Sequence, residues 1–483
     1  MAGIVGGGSG GSGAGGIAGG GSGGAGGTAA GGSGGSGSAG VAGSVGGGSG
    51  GRASAGATAG GAAGGGATGG GAGGKAGAGG SAGAGGTAGV GGSVGGTAAG
   101  GAAGGTAGVG GSVGGTAAGG AAGGAAGAGG STTSPGAPET SASGYGRSAT
   151  GGGNTKAQDV ATWQDMQAAI DAYSGSGGLV LRYTGKFDYK TITDPCTQHT
   201  KDAQTVEIKN KSDITIIGAD GSAGNFGLHI AGAATNIIVR NMTLGLTPGG
   251  GASDIISIEG MSKDTDIPKN IWIDHNELFT SMVECAGAGD TEFDGLVDMK
   301  KGADNVTVSY NYLHDHHKVS LNGYSDDDTR VRHVTFHHNV FENVGARTPL
   351  QRGGYSHMGN NLFSNVNVSC VNVRMSGYSL VEGNYFEKVV NPVTSRDSAE
   401  IGWWELRNNN LASKADVSTG NSFGISWTDG NAGTVNATEW TTTKAFPSAE
   451  LTYTYKADPF ACVKIGLKAV AGAGKGLATL KCN

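Results

Sequence analysis

The sequence predicts an all-β fold, a parallel β-helix closed at its N-terminal end by a capping helix and preceded by a disordered glycine-rich segment. Three observations predict it. Seven asparagines, Asn241, Asn276, Asn311, Asn339, Asn361, Asn384 and Asn409, recur at spacings of 35, 35, 28, 22, 23 and 25 residues. The segments around them are short, β-branched and alternating, as in NVTVSYNYL, which is strand patterning. And residues 1–150 are built almost entirely of Gly, Ala, Ser, Thr and Val, with Tyr145 as the first aromatic residue.

The head comes first. Arg52, Lys75, Glu139 and Arg147 are its only charged residues, and it holds too little large apolar surface to offset the entropy of ordering its backbone. A 19-residue repeat, TAGVGGSVGGTAAGGAAGG, starts at Thr87 and again at Thr106. It lacks the Gly-X-Y period and the proline of collagen, so 1–150 reads as a disordered tether or spacer. The folded domain is expected over 155–483. Residues 162–173, TWQDMQAAIDAY, read as one amphipathic helix. Thr162 is a suitable N-cap with Asp165 three residues on, and Met166, Ala169, Ile170 and Tyr173 form one stripe. This helix should cover the first coil, because the ends of a solenoid need caps.

The coils follow. Three residues before each asparagine stands an apolar residue: Ile238, Ile273, Val308, Phe336, Met358, Val381 and Leu406. Two residues after it stands a large apolar one in six of the seven cases, Thr243 being the exception. A repeat of 22 residues is too short for a strand, a full helix and a return, but it fits one coil of three short strands and three turns. Coils would stack at about 4.8 Å, and successive asparagines would form an amide ladder inside one turn. After about residue 420 the pattern stops, and the tail is expected to wrap the outside.

Charge and cysteines narrow the function. The chain has 31 Lys and Arg against 37 Asp and Glu; three basic and one acidic residue fall in the head, leaving 28 against 36, a net of −8. A basic nucleic-acid surface is thereby excluded. No run of about 20 apolar residues is present, so no membrane-spanning helix is expected. None of the five cysteines is in a CxxC pair, which argues against a zinc ribbon. Two disulfides and one free thiol would suit an exported protein. Cys370, in the strand-like run SCVNV, is most simply a buried free thiol. The start, MAGIVGGGSG, has neither the basic nor the apolar region of an export signal.

The longest coils, 241–276 and 276–311, carry Asp254, Asp294 and Asp298. Clustered carboxylates suggest a Ca²⁺ site of oxygen ligands. On a straight strand Asp294 and Asp298 would stand about 13 Å apart, so Asp294 must lie in a bend, which Gly295 permits. Lys318 and Arg347 fall seven and eight residues after Asn311 and Asn339, which puts them on neighbouring coils of one face. In GARTPLQRGG, Arg347 and Arg352 have no carboxylate between them, a pattern that suits anion binding. The run Asp326, Asp327, Asp328 reads as a solvated turn. The histidines, including HDHH at 314–317 and His333, His337, His338 and His357, could suggest zinc, but they flank the asparagine strands and read as stacking groups.

At these residues the chain resembles a known family. NIWIDHNELF, DGLVDMKKGADNVTVSYNYLHDHHKVSLNG, VTFHHNVFENVGARTPLQRGG and NPVTSR together resemble the bacterial secreted pectate lyases of polysaccharide lyase family one, from about residue 160 to the C-terminus. The resemblance implies a right-handed parallel β-helix that cleaves polygalacturonate by Ca²⁺-assisted β-elimination to 4,5-unsaturated products. It implies Asp254, Asp294 and Asp298 as calcium ligands and Lys318 and Arg352 as substrate-binding residues. Arg347 would be the base that removes the C5 proton, and Cys196–Cys285 and Cys462–Cys482 the disulfides. It also implies a secreted, extracellular protein, expected to act as a monomer. Ala252 stands where some relatives have an acidic residue, which would weaken one calcium site. Two other functions stay open: a pectin lyase acting on methyl-esterified chains, and a non-catalytic pectin-binding surface protein. The substrate and the domain are both anionic, and calcium bridging between them would resolve that conflict. Arginine is a poor base near neutrality, so alkaline activity is expected.

Overall fold

The computed structural model describes residues 132–198, 204–247, 254–261, 263–287, 292–398, 400–411 and 444–483, all within one compact unit, 116–483. The glycine-rich head up to residue 131 and Ala252 lie outside the described residues. Among those described, three parallel sheets of ten, eight and six strands make up a right-handed parallel β-helix. From Thr235–Arg240 to Val393–Thr394 each coil contributes one strand to each sheet in turn. Lys269–Asp274, Asp304–Ser309, His333–His337, Tyr355–Gly359 and Tyr378–Glu382 are successive neighbours in the ten-stranded sheet.

Register follows from the sequence motif. From Asn276 to Asn384 the apolar residue three before the asparagine points inward: Ile273, Val308, Phe336, Met358 and Val381 lie opposite one another in successive strands and are wholly buried. Ile238 departs from the expectation: it lies opposite Trp272 on the outer row, and Val239 takes the inward place, because the register slips by one residue at Asn241. Parallel pairing places like on like, so one residue type per position builds a continuous core column. The aromatic residue two after the asparagine does the same one sheet further on. Phe341, Phe363 and Phe386 stack nearly parallel at 5.0 and 4.6 Å between centroids.

The asparagines form the expected ladder from Asn276 to Asn409. Each side-chain amide donates to the Oδ1 of the next, at 2.9 Å for Asn276–Asn311 and Asn311–Asn339 and 3.0 Å for Asn339–Asn361, Asn361–Asn384 and Asn384–Asn409. Each Oδ1 also accepts the backbone N–H of the preceding asparagine, as Asn339 does from Asn311 at 3.0 Å. Asn241 stands apart: its amide donates to the Gly218 carbonyl at 2.8 Å. It also lacks the large apolar residue two positions later.

The N-terminal end is capped as the patterning implies. The helix Trp163–Ala172 starts at Thr162, whose hydroxyl accepts from Asp165 N at 3.0 Å, and buries Met166 and Ile170 in the main core. At the other end of the chain, Phe460–Val470 packs Val463, Leu467 and Val470 against Tyr310, Val340, Leu362 and Tyr385 on the outside of the coils. Both disulfides form as expected, and Cys370 is free and buried. No helix among the described residues is long and apolar enough to cross a membrane.

The packed unit reaches further towards the N-terminus than the boundary near 150–155 read from composition. Thr133–Gly136 pairs antiparallel with Thr479–Cys482, and Tyr145 is buried. The backbone N–H groups of Tyr145, Gly146 and Gly152 donate to the hydroxyls of Thr335, Thr307 and Thr215 at 3.1, 2.9 and 3.0 Å. The small residues taken as a sign of disorder are what let this strap lie against the sheet. A Cβ on Gly146 would stand 2.6 Å from the Ile271 carbonyl oxygen.

Candidate active site

A cleft of about 550 Å³ forms where the chain passes from the six-stranded to the eight-stranded sheet. Lys318, Arg347, Asn372, Arg374, Asp397 and Glu284 are among its lining residues. Lys318 ends the strand Tyr312–Lys318 and lies opposite Ala346 in the next coil, so Arg347 follows one residue further on, as their near-equal offsets from the ladder imply. Arg347 occupies the turn between Val340–Ala346 and Leu350–Arg352 with φ +63. That conformation is costly for a side-chain-bearing residue and is held from both sides. The Arg347 carbonyl accepts from Ser320 N at 2.7 Å, and Thr348 N donates to the Cys370 carbonyl at 3.1 Å.

Arg352 departs from the expectation. It is not among the cleft-lining residues. Its Nε donates to Asp326 Oδ1 at 2.7 Å and its guanidinium to the Gly323 carbonyl at 2.9 Å. The parallel coils bring to it a carboxylate from 26 residues upstream, which inspection of GARTPLQRGG alone overlooks. The reading of 326–328 as a solvated turn holds for Asp327, which is exposed in the turn, but not for Asp328. Asp328 is buried, paired with Arg332 at 2.8 Å, and accepts from Lys301 N at 2.8 Å.

Asp254 and Asp298 are joined through Lys300, and Asp294 lies near enough for its charge to act on both. Asp254 and Asp298 are buried and Asp294 is partly so. Asp294 lies in the irregular segment before the strand Val297–Lys300. Gly295 lets this segment approach closely: its N–H donates to Asp254 Oδ1 at 3.1 Å, and a Cβ there would sit 2.3 Å from Asp298 Oδ1. Burial raises the Asp254 carboxyl, Lys300 opposes and Asp294 adds to the rise. Asp298 is raised well above the usual carboxylate range by burial and by Asp254. Lys300 bridges the pair, 2.5 Å from Asp254 and 3.6 Å from Asp298. Burial works against its ammonium, but Asp298 and Asp254 outweigh it and raise its pKa.

Among the described residues no three acidic or histidine side chains converge in metal-binding geometry. The fit to calcium is chemical: three carboxylates, oxygen ligands only, against the single charge of Lys300, leaving two negative charges for a divalent ion.

Sequence reading missed Lys300 and Arg374. Lys300 follows Asp298 by two in a strand, the spacing that puts both on one face, and that signal was available. Arg374 lies opposite Arg352 in the adjacent coil. Burial pushes its guanidinium down to about 10, and the neighbouring Arg352 and Arg347 add to this against Asp397. Cations therefore crowd this end of the cleft. His316, two residues before Lys318, is pushed down to about 3, by burial first and by Lys318, His317 and Arg347 among the rest. The other histidines hold the coils as expected. His275 and His338 stack on either side of Tyr310 at 4.8 and 4.7 Å, and His357 bonds Glu382 at 2.8 Å.

Comparison with known proteins shows the family and the fold. A family model described as pectate lyase matches residues 75–476. Pectate lyase II from Xanthomonas campestris is 54% identical, with a TM-score of 0.64 over 70% of this chain and 99% of that one. Pectate lyase C from Erwinia chrysanthemi, solved at pH 9.5 with 30 mM Ca²⁺, is 42% identical, with a TM-score of 0.63 over 71% and 99%. A mutant of pectate lyase C in complex with pentagalacturonic acid has a TM-score of 0.62 at the same identity and coverage.

Proposed function

The chain belongs to the pectate lyase family and is a polysaccharide lyase, and on that premise we propose that it is a secreted enzyme that cleaves polygalacturonate by calcium-assisted β-elimination in the cleft beside Lys318 and Arg347. The observation that carries this reading is that the coil bearing Lys318 lies directly on the coil bearing Asp294 and Asp298: Leu321 N, three residues after Lys318, donates to Asp298 Oδ1 at 2.9 Å. Asp254, Asp294 and Asp298 would hold calcium, which when bound supplies positive charge to a uronate carboxylate and so acidifies the adjacent C5–H.

The chain's own residues do the rest. The Lys318 ammonium pairs with the carboxylate of the sugar to be cleaved and stabilises the charge that spreads into it as the C5 proton leaves. Arg347, fixed in its strained turn, is the base that takes the proton. Its guanidinium must give up its charge first, and neighbouring cations such as Lys318 and Arg374 disfavour the charged form. The electron pair forms the C4–C5 double bond and the glycosidic oxygen leaves from C4. Arg352, braced by Asp326, binds a further carboxylate of the chain. The two disulfides agree with export to an oxidising compartment.

The test is incubation of the full chain with polygalacturonate at alkaline pH, following the absorbance of the 4,5-unsaturated product. Product that appears with calcium and is lost with chelator is expected, and Arg347→Ala should abolish turnover while calcium binding persists. Product insensitive to chelator, or near-normal turnover in the variant, would overturn the calcium or the base assignment respectively.

A further inference from the structure

Beyond Arg347 the cleft continues over one more coil, where NPVTSR ends and Asp397 begins a turn. That turn is anchored on the preceding coil: Arg396 N donates to Asn372 Oδ1 at 3.2 Å, and the Asn372 amide returns a bond to the Arg396 carbonyl at 3.5 Å. Asp397 has φ +55. Its Oδ2 accepts from Arg396 Nε at 2.9 Å and stands 3.6 Å from the Arg374 guanidinium. The Arg374 side chain is only 11% exposed, so little of it is open to a ligand, while 42% of the Asp397 side chain is accessible. The wall of an anion-binding cleft thus carries an accessible anion of its own.

On the reading of the cleft as a polygalacturonate site, we infer that Asp397 sets charge selectivity at this end, relaxing the demand for a free galacturonate and admitting a methyl-esterified unit beside Arg374. The charges show why. Arg374 and Arg396 alone would offer two positive charges to an incoming carboxylate; Asp397 cancels one and presents a like charge to the second anion. A methyl ester brings no charge and meets no such opposition, while its loss of attraction to a half-neutralised pair is small. At Lys318 and Arg347 no such relaxation is needed, because the carboxylate there must be free to receive charge during elimination.

The experiment measures KM and kcat of the full chain and of Asp397→Asn and Asp397→Glu on polygalacturonate and on randomly methyl-esterified pectin. Asp397→Asn should lower KM on polygalacturonate by about threefold or more with kcat little changed, and leave KM on esterified pectin near its original value. Asp397→Glu should keep the original ratio. An unchanged ratio in active Asp397→Asn enzyme, or the same shift in both variants, would overturn the proposal while leaving the lyase reading intact. Absence of unsaturated product from every form would overturn that reading and this proposal with it.

Discussion

At the scale of single residues the site depends on close approach as much as on charge. Gly295 carries no functional group, yet a Cβ there would stand 2.3 Å from an oxygen of Asp298 and 2.7 Å from its carboxyl carbon. Gly295→Ala must therefore push a buried carboxylate out of line with Asp254. The variant should fold, at a cost of about 1–3 kcal/mol for the overpacking. The calcium concentration for half-maximal activity should rise at least about tenfold, because a misplaced ligand oxygen loses its ion. A calcium titration of activity, with a thermal melt as control, checks this; a wild-type titration curve would show that Gly295 does not position Asp298. Charged residues next to recognisable motifs, such as Asp254, Lys318 and Arg347, were legible in the sequence because the asparagine register fixes their place on a coil. Asp326 on Arg352 and Asp328 on Arg332 were not. Those pairs join a turn to the end of a strand, and the turns vary in length from coil to coil, so counting from the ladder does not reach them. Arg374 was hidden for a different reason: nothing in SCVNVRMSG marks it until its neighbour Arg352 is known to lie alongside.

At the scale of elements the amide ladder is the strongest statement the sequence makes about the fold. Asn339 shows why one residue type recurs. Its Oδ1 accepts two bonds from Asn311, at 3.0 Å from the backbone and 2.9 Å from the side chain. Its amide donates at 2.9 Å to the Val308 carbonyl and at 3.0 Å to Asn361. The residue is fully buried, so Asn339→Ala would remove bonds from groups on both flanking coils, at about 1–3 kcal/mol for each left unpaired that water cannot reach. We expect a total loss of about 3–5 kcal/mol, read as a lower urea midpoint with an unchanged slope. A loss below about 1 kcal/mol would mean that water replaces the ladder. Serine or threonine offers no two-donor amide and should not restore stability. The coil architecture, the capping helix with Thr162 and the inward columns were all legible because parallel stacking repeats one chemical solution every coil. The strap over residues 132–150 was not, because it repeats nothing. Its glycines and serines are selected by the surface they lie against, and composition alone does not distinguish that from disorder.

At the scale of the whole molecule that strap acts as a staple across coils. Thr215, Ile238, Trp272, Thr307 and Thr335 form one row on the ten-stranded sheet, each opposite the next. The strap crosses this row, with Ala142 and Ala149 packed on Ile238 and Trp272. Coils of a solenoid touch only their neighbours, so a segment bonded to Thr335 and Thr215 couples coils that otherwise communicate only through those between. Its weak point is Glu139, whose Oε2 is buried without a partner. The nearby Arg240 is committed to Asp274 at 2.6 Å and reaches only the Glu139 backbone carbonyl, at 3.5 Å. Burial, aided by Asp274 and only partly opposed by Arg240, pushes the Glu139 carboxyl up to about 7 from an ordinary value of 4.5. The folded state therefore favours the protonated acid. Its contribution to stability is fully present below pH 4.5, declines as pH rises towards 7, and is absent above it. Glu139→Gln keeps the shape and removes the titration. It should melt like the parent near pH 4 and about 2–5 °C higher at pH 9, where this family of enzymes is expected to work. Removing residues 1–131 should leave both melting curves in place, whereas removing 1–154 should lower them at every pH. The strap lies on the ten-stranded sheet and the cleft on the passage between the other two, so none of these changes should move KM. A melting temperature of Glu139→Gln that tracks the parent from acid to alkaline pH would show that Glu139 is solvated and that the staple carries no pH dependence.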